Sequence, residues 1–477
     1  MRNAVTTTSL LGLLGLALLA GCPDRTISKV NPNQGRVEFK DIPVSVNRDI
    51  DILFVIDDSN SMADKQTNLK NNFPNFINVL NTIEGGLPNV HLGVVTSDLG
   101  TKGADDAQAG PSVGSGIGAC LNNGGKNGNL QTSSVVTGAF ISDTKNTDGT
   151  RSTNYSGSLE DAFSAIASVG VNGCGFEQHL EAAKRALDGN PQNAGFLRPN
   201  AYLALIFIQD EDDCSMAHSS LLGSDTTTLG PLQSFRCNRF GHVCAQGGQN
   251  SDQMNQTGPK GECASNENSA YLTKVGDYVD YFKSLKSDPA NVIVAGIAGP
   301  TTPYEVELRA PPNGGTAIPQ VAHSCTYNGA SGQEVADPST RLKQFLDQFP
   351  NRSTFSTICQ QDLSGALIQI AQLLRTVIGS PCIEGNLADV DPNTDGPQYD
   401  CSVSDVTNYG KANQTEQVLP QCNGSSPDYT DSTNKPCWSI QTDTMNCMVA
   451  PNLTLKIVRD QAPPDNTHVI SYCVTEA

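Results

Sequence analysis

The segment Asp57-Asp58-Ser59-Asn60-Ser61 sets one carboxylate and two hydroxyls at alternate positions, directly after the apolar run Ile52-Leu53-Phe54-Val55-Ile56. Alternate side chains of an extended loop can point the same way. Asp57, Ser59 and Ser61 therefore offer hard oxygen ligands, which suit Mg²⁺, Mn²⁺ or Ca²⁺; softer metals would want His or Cys. The competing reading is a helix-capping loop with Ser61 or Asp64 as N-cap. A second acidic cluster, Asp210-Glu211-Asp212-Asp213, follows the apolar run Tyr202 to Ile208, and Asp98 follows a third run, where a loop-capping role is expected. Further on, Asp389, Asp391, Asn393, Asp395 and Asp400 alternate as in calcium loops, but Thr394 stands where the turn glycine belongs, so an acidic linker turn is the stronger reading.

Catalysis is not expected. An aspartyl nucleophile at Asp57 would want a second Asp two residues on, where Ser59 stands. No Walker loop occurs, and no G-x-S-x-G elbow is recognised. Nucleic acid is excluded as a partner, because 30 Lys and Arg face 49 Asp and Glu for a net charge of −19.

The N-terminus carries Arg2, an apolar run from Leu10 to Ala20, and then Leu19-Ala20-Gly21-Cys22. This reads as a signal peptide over residues 1–21 ending in a lipobox, with Cys22 the lipidation site and the membrane reached through acyl chains. Without Cys22, fourteen of the fifteen cysteines remain, an even number suited to disulfides in an oxidising compartment. No C-x-x-C pair suggests zinc. The expected location is the cell envelope, as a membrane-anchored lipoprotein facing the periplasm or the exterior.

Continuous apolar strands have to position the acidic loops. Such runs at Ile52–Ile56, Val90–Thr96, Tyr202–Ile208 and Val292–Ile297 imply parallel strands buried on both faces. Helical stripes lie between and after them: Leu69, Phe73, Phe76, Ile77 and Leu80, with Pro74 expected to kink the helix; Leu159, Phe163 and Ile166; Phe176, Leu180, Ala183 and Leu187; Leu272 to Leu285; and Leu363 to Val377. The order predicts a doubly wound, mostly parallel α/β domain over 46–380, with insertions at about 100–150, 214–266 and 300–338. A polar tether over 22–45, leading to a short strand around Arg36 to Phe39, precedes it. A cysteine-rich β domain over 381–477 follows. Cys214, Cys237, Cys244 and Cys263 are expected to pair among themselves, Cys120 with Cys174, and Cys325 with Cys359, with no pair crossing residue 380.

Asp57, Ser59 and Ser61 after a buried strand, in this strand and helix order, resemble the metal-ion-dependent adhesion site of von Willebrand factor type A domains. The resemblance covers roughly residues 46–380. It implies that Asp210 is the ligand from the third loop. It also implies a divalent cation, Mg²⁺ ahead of Mn²⁺ or Ca²⁺, with one position open to an acidic side chain of a protein or surface ligand. The second loop departs from the family. In place of Gly-x-Thr it reads Gly173-Cys174-Gly175-Phe176-Glu177, and Glu177 either substitutes for the Thr as a ligand or is a surface carboxylate at a helix N-terminus. The function implied is that of a lipid-anchored receptor or adhesin-like protein. The alternative is a structural or assembly lipoprotein whose metal site is vestigial.

Overall fold

The structure, a computed structural model, describes residues 37–43 and 48–476 apart from 84–85, 115–117, 122–123, 147, 311–313, 331, 380–381, 384, 392, 394–395, 410–412, 445–446, 448–449, 462 and 465–466. The signal segment, Cys22 and most of the tether lie outside the described residues, as do Thr394 and Asp395 of the calcium-loop candidate.

In chain order the elements that matter here are β1 (Val37–Pro43), β2 (Asp49–Ile56), α1 (Ala63–Asn81), β3 (Asn89–Thr96), β4 (Ile141–Lys145), β5 (Arg151–Thr153), α2 (Leu159–Ile166), α3 (His179–Leu187), β6 (Tyr202–Ile208), α4 (Val275–Ser284) and β7 (Val292–Ala298). They continue with β8 (Cys325–Gly329), β9 (Gly332–Ala336), α5 (Thr340–Asp347), β10 (Ser353–Thr357), α6 (Ser364–Gly379), β11 (Cys382–Ile383), β12 (Cys401–Thr407), β13 (Thr415–Leu419), β14 (Cys437–Thr442), β15 (Leu453–Val458) and β16 (Thr467–Val474).

A seven-stranded sheet in the order β10-β7-β6-β2-β3-β4-β5 forms the centre of the α/β domain. Strands β10 to β3 run parallel, and β4 and β5 extend the sheet antiparallel. Period-two alternation along β2 explains why helices cover both faces. Ile50, Ile52, Phe54 and Ile56 enter one core with Phe73, Phe76, Phe163 and Leu367 from α1, α2 and α6. Leu53 and Val55 enter the other with Leu180, Phe282 and Phe345 from α3, α4 and α5. Phe54 meets Phe73 and Phe76 edge-on at centroid distances of 6.0 and 5.9 Å, an arrangement that adds to plain burial. α1 continues through Pro74 as one helix.

The insertions hold more regular structure than expected. The first, read as irregular, contributes the β4–β5 hairpin to the main sheet. The second and third pair with each other, Tyr304 opposite Lys260, in a four-stranded antiparallel sheet that also contains 242–246 and 318–321. A separate hairpin, β8–β9, closes the third insertion.

The C-terminal region forms two small sheets, β1-β16-β12-β13 and β11-β15-β14. Its core includes Val403, Trp438, Leu455 and Val469. Strand β1 is the unexpected member. It precedes the α/β domain in the chain, inside the segment read as tether, yet pairs antiparallel with the last strand from Val37 opposite Val474 to Pro43 opposite His468. The chain therefore leaves the C-terminal sheet, builds the α/β domain, and returns.

Seven disulfides staple the molecule: Cys120–Cys174, Cys214–Cys237, Cys244–Cys263 and Cys325–Cys359 before residue 380, and Cys382–Cys447, Cys401–Cys473 and Cys422–Cys437 after it. The pairs agree with the expected partition. So many disulfides belong to an oxidising, extracytoplasmic compartment. Among the described residues no helix is long and apolar enough to cross a membrane.

Candidate metal site at the sheet switch point

Strands β2 and β6 are neighbours, and their carboxyl ends carry the first and third acidic loops. The connections from these strands leave in opposite directions across the sheet, so the loops flank the crevice where open α/β sheets bind ligands. The backbone N–H of Asp57 still donates to the Ile208 carbonyl at 3.0 Å, which fixes the two loops side by side.

Asp57 is fully buried. Its Oδ1 accepts from the Ser59 N–H at 2.7 Å, curling the loop so that Ser59 and Ser61 face the same way. Their hydroxyls lie 3.0 Å apart, and Ser61 Oγ donates to Asp210 Oδ1 at 3.1 Å. Two oxygens bound at right angles to one Mg²⁺ at about 2.1 Å would be about 3.0 Å apart. Asp57 Oδ2 is buried without a hydrogen-bond partner among the described residues. A buried carboxylate oxygen that accepts no hydrogen bond and two hydroxyls in the same loop are oxygens that a hard cation would satisfy. The donor set of Asp57, Ser59, Ser61 and Asp210 thus fits a divalent cation. Among the described residues no group of three or more His, Cys, Asp or Glu side chains is arranged to hold a metal ion.

Neither Ser61 nor Asp64 acts as the helix cap weighed above. Ser59 is the residue ahead of the first helical turn, and its side chain makes no capping bond. Asp64 instead accepts from Tyr327 Oη at 2.8 Å and the Ala330 N–H at 3.1 Å.

Glu177 comes before the N-cap Gln178 of α3 and is buried, which excludes a solvated surface carboxylate. Its carbonyl accepts from the Cys214 N–H at 2.7 Å, tying the second loop to the third. Among the described residues no hydrogen bond or ion pair joins its carboxylate to Asp57, Ser59 or Ser61. Burial and the like charges of Glu211, Asp57 and Asp210 push its carboxyl well above the usual range. Asp210 is pushed up to about 7 by burial and by Asp57, against the pull of Lys65. Asp58 is raised to about 6 by burial, although Lys126 pairs with it at 2.7 Å. Desolvation and mutual repulsion thus act together on one side of the molecule, and a divalent cation would relieve both.

The other sequence candidates have structural roles. Asp212 pairs with His242 at 2.8 Å and accepts from the Arg341 and Leu342 N–H groups at the start of α5. Asp213 pairs with Arg341 at 3.1 Å and accepts from the Leu180 N–H at 2.9 Å. Asp98 accepts from the Gly100 N–H at 2.9 Å, the loop cap expected of it. Asp389 accepts from the Asp391 N–H at 3.1 Å and the Gln398 N–H at 3.2 Å, as an acidic turn does. The letters G-x-S-x-G do occur, at Gly110–Gly114, which corrects the reading above; they lie in an irregular loop, not a strand-to-helix turn, and exposed Ser112 donates to the Leu121 carbonyl.

Sequence reasoning missed three groups. Gln66 Nε2 donates to the carbonyls of Asp57 at 3.0 Å and Gly170 at 2.8 Å, clamping the first loop. His179 is fully buried with its Nε2 3.8 Å from Asp57 Oδ2. Lys65 is buried and pairs with Asp210 at 3.1 Å. It precedes Leu69 by four residues on the apolar stripe of α1, and a charge on a buried stripe is the signal that would have drawn attention to it. Glycine at 173 is dictated by contact, since a Cβ there would lie 2.4 Å from Asp58 Oδ1.

The strand order and the loops at its switch point define an open, doubly wound, mostly parallel α/β domain. No family model and no curated protein matches the chain. Among solved structures it is similar to a von Willebrand factor type A protein from Catenulispora acidiphila, at 11% identity and a TM-score of 0.27 over 94% of this chain and 67% of that one. It is also similar to BatB from Bacteroides thetaiotaomicron, at 11% identity and a TM-score of 0.26 over 69% of this chain and 98% of that one. A third is proximal thread matrix protein 1 of the mussel byssus, at 11% identity and a TM-score of 0.26 over 71% of this chain and 48% of that one. At these scores the superpositions carry no argument of their own. The fold assignment rests on the sheet described above.

Proposed function

We propose that this chain is a lipid-anchored, extracytoplasmic binding protein that captures a protein or surface ligand through a divalent cation held by Asp57, Ser59, Ser61 and Asp210, with Glu177 contributing charge from the second loop. The observation that carries the reading is the buried Asp57 Oδ2, which accepts no hydrogen bond among the described residues, together with two hydroxyls 3.0 Å apart in the same loop. When bound, the cation supplies an open coordination position that attracts a carboxylate of the partner. Mg²⁺ suits the small all-oxygen set, with Mn²⁺ or Ca²⁺ as alternatives. The role proposed for these loops is binding.

The anchor is Cys22, and its replacement by Ser should release a soluble protein or leave an uncleaved precursor. Asp57→Ala should abolish ion binding, because it removes the first loop's only full charge at the site. Ser59→Ala should weaken binding less. Calorimetric titration of Mg²⁺, Mn²⁺ and Ca²⁺ checks the site, and partner capture with and without chelator checks its role. An unchanged isotherm in Asp57→Ala would falsify the site. A second reading, a structural or assembly lipoprotein with a vestigial site, is favoured by Lys65 already pairing with Asp210. Chelator-insensitive capture of partners would select it.

A further inference from the structure

Lys65 puts an ammonium where the fold leads one to look for a metal's charge. Its side chain is 1% exposed, and Nζ has three oxygen partners. It donates to the Ser61 carbonyl at 3.0 Å, pairs with Asp210 Oδ2 at 3.1 Å, and donates to Glu334 Oε2 at 2.9 Å. Asp210 is thus held at both oxygens by the chain's own groups, Oδ1 by the Ser61 hydroxyl and Oδ2 by the charge of Lys65. Glu334 belongs to β9, and the β8–β9 hairpin is fastened over the first turn of α1 by the two bonds to Asp64 and to the body of the domain by Cys325–Cys359. The far partner of the lysine is therefore held in place independently of the metal loops.

Burying an ammonium is costly unless acceptors surround it, so Lys65 keeps a partner in every state of the site. A divalent ion on Asp57, Ser59 and Ser61 would lie within a few ångströms of Asp210, would draw on that carboxylate and would repel the ammonium. Glu334 is already in hydrogen-bond range, so the lysine can leave Asp210 without losing charge compensation.

We propose that Lys65 is a tethered competitor for the cation: it neutralises Asp210 in the ion-free protein and shifts its weight onto Glu334 when the ion binds, so that the pair sets the affinity of the site. This rests on the metal reading above. The two residues should act with opposite signs. Removing the ammonium removes the competitor, whereas removing Glu334 strands the displaced ammonium.

The test is calorimetric titration of Mn²⁺ and Mg²⁺ into the chelator-stripped protein and its variants. Lys65→Met and Lys65→Gln should each tighten binding by about tenfold or more. Glu334→Gln should weaken it by roughly threefold. Lys65→Gln keeps a donor for the Ser61 carbonyl, which guards against a variant that fails to fold, and the ion should raise its melting temperature by more than it raises that of the wild type. If the wild type binds and both Lys65 variants bind no more tightly, the competition is wrong and the metal site stands. Absence of binding in wild type and Lys65→Gln alike removes the site and this inference together.

Discussion

The α/β domain and the C-terminal region solve the same problem with different means. The first buries two continuous apolar layers, one on each face of a seven-stranded sheet. The second has a single small core around Val403, Trp438, Leu455 and Val469, and three disulfides. Small cores rarely supply enough burial to offset chain entropy, and cross-links make up the difference. The larger core gives the α/β domain a margin that tolerates the buried, mutually repelling carboxylates of Asp57, Glu177 and Asp210. The C-terminal region, where Asp405 pairs with Arg459, has no comparable cluster among its described residues. Burial dominates in the α/β domain, whose four disulfides hold its insertions and loops, whereas in the C-terminal region cross-links carry a larger share.

The single tryptophan, Trp438, lies in the C-terminal core, so its fluorescence reports that region, while helical circular dichroism reports the α/β domain. Reduction gives the largest expected effect. The bridges 401–473 and 382–447 close long loops, and each is worth about 4 kcal/mol. Full reduction should therefore shift Trp438 emission to that of an exposed indole while most helical signal survives. Native emission after complete reduction would break the comparison.

Phe54→Ala tests the other side. The ring is fully buried against Phe73, Phe76 and Phe163, so its removal should cost about 4 kcal/mol. The loss should be seen in the melting of helical signal and not in the Trp438 transition. Equal loss in both would show that the two regions unfold as one.

A pH series sharpens the contrast further. Asp210, raised to about 7, and Asp58, raised to about 6, hold protons more tightly folded than unfolded. Their contribution to stability is full below the ordinary carboxylate range and is lost as pH rises through 6 to 7. The ion-free α/β domain should therefore melt several degrees higher at about pH 5 than at about pH 8. Saturating Mn²⁺ should flatten that slope, because ion and proton compete for the same carboxylates. In the C-terminal region the shifted carboxyls Asp428 and Asp431 lie below the usual range and are exposed, so the Trp438 transition should stay flat over the same interval. An α/β transition that rises with pH in the absence of metal would contradict the buried-charge account.

The parts of this molecule that could be read from the chain are the local ones. Asp57, Ser59 and Ser61 are near neighbours at the end of a strand whose apolar run is unmistakable, and Asp210 follows another. β10 escaped because Ser353–Thr357 is a half-buried edge strand of mostly polar residues, with no apolar run to mark it. β1 was legible as a strand but not as a member of the C-terminal sheet, since that pairing joins the two ends of the chain. Glu334 had no local signal at all. It gains its meaning only when the β8–β9 hairpin folds over α1 and meets Lys65. The pairing of Cys214, Cys237, Cys244 and Cys263 was readable because all four lie in one insertion.

Glu177→Gln has the smallest expected effect and decides what the second loop contributes. The carboxylate is buried and feels the charges of Asp57 and Asp210 through space, but among the described residues no hydrogen bond or ion pair joins it to the first-loop oxygens. A charge acting at that range is worth a few-fold in affinity, whereas a lost direct ligand is worth far more. Gln keeps the size and shape of the side chain and leaves the Cys214-to-Glu177 backbone bond in place. Binding of Mn²⁺ should therefore weaken by roughly threefold to tenfold. With less negative charge around it, the ion should attract an external carboxylate more strongly, so capture of an acidic partner should improve at saturating ion even as ion affinity falls. A hundredfold loss would make Glu177 a direct ligand that replaces the missing Thr. An unchanged isotherm would remove it from the site, and with it the extra charge that separates this second loop from the von Willebrand factor type A pattern it resembles.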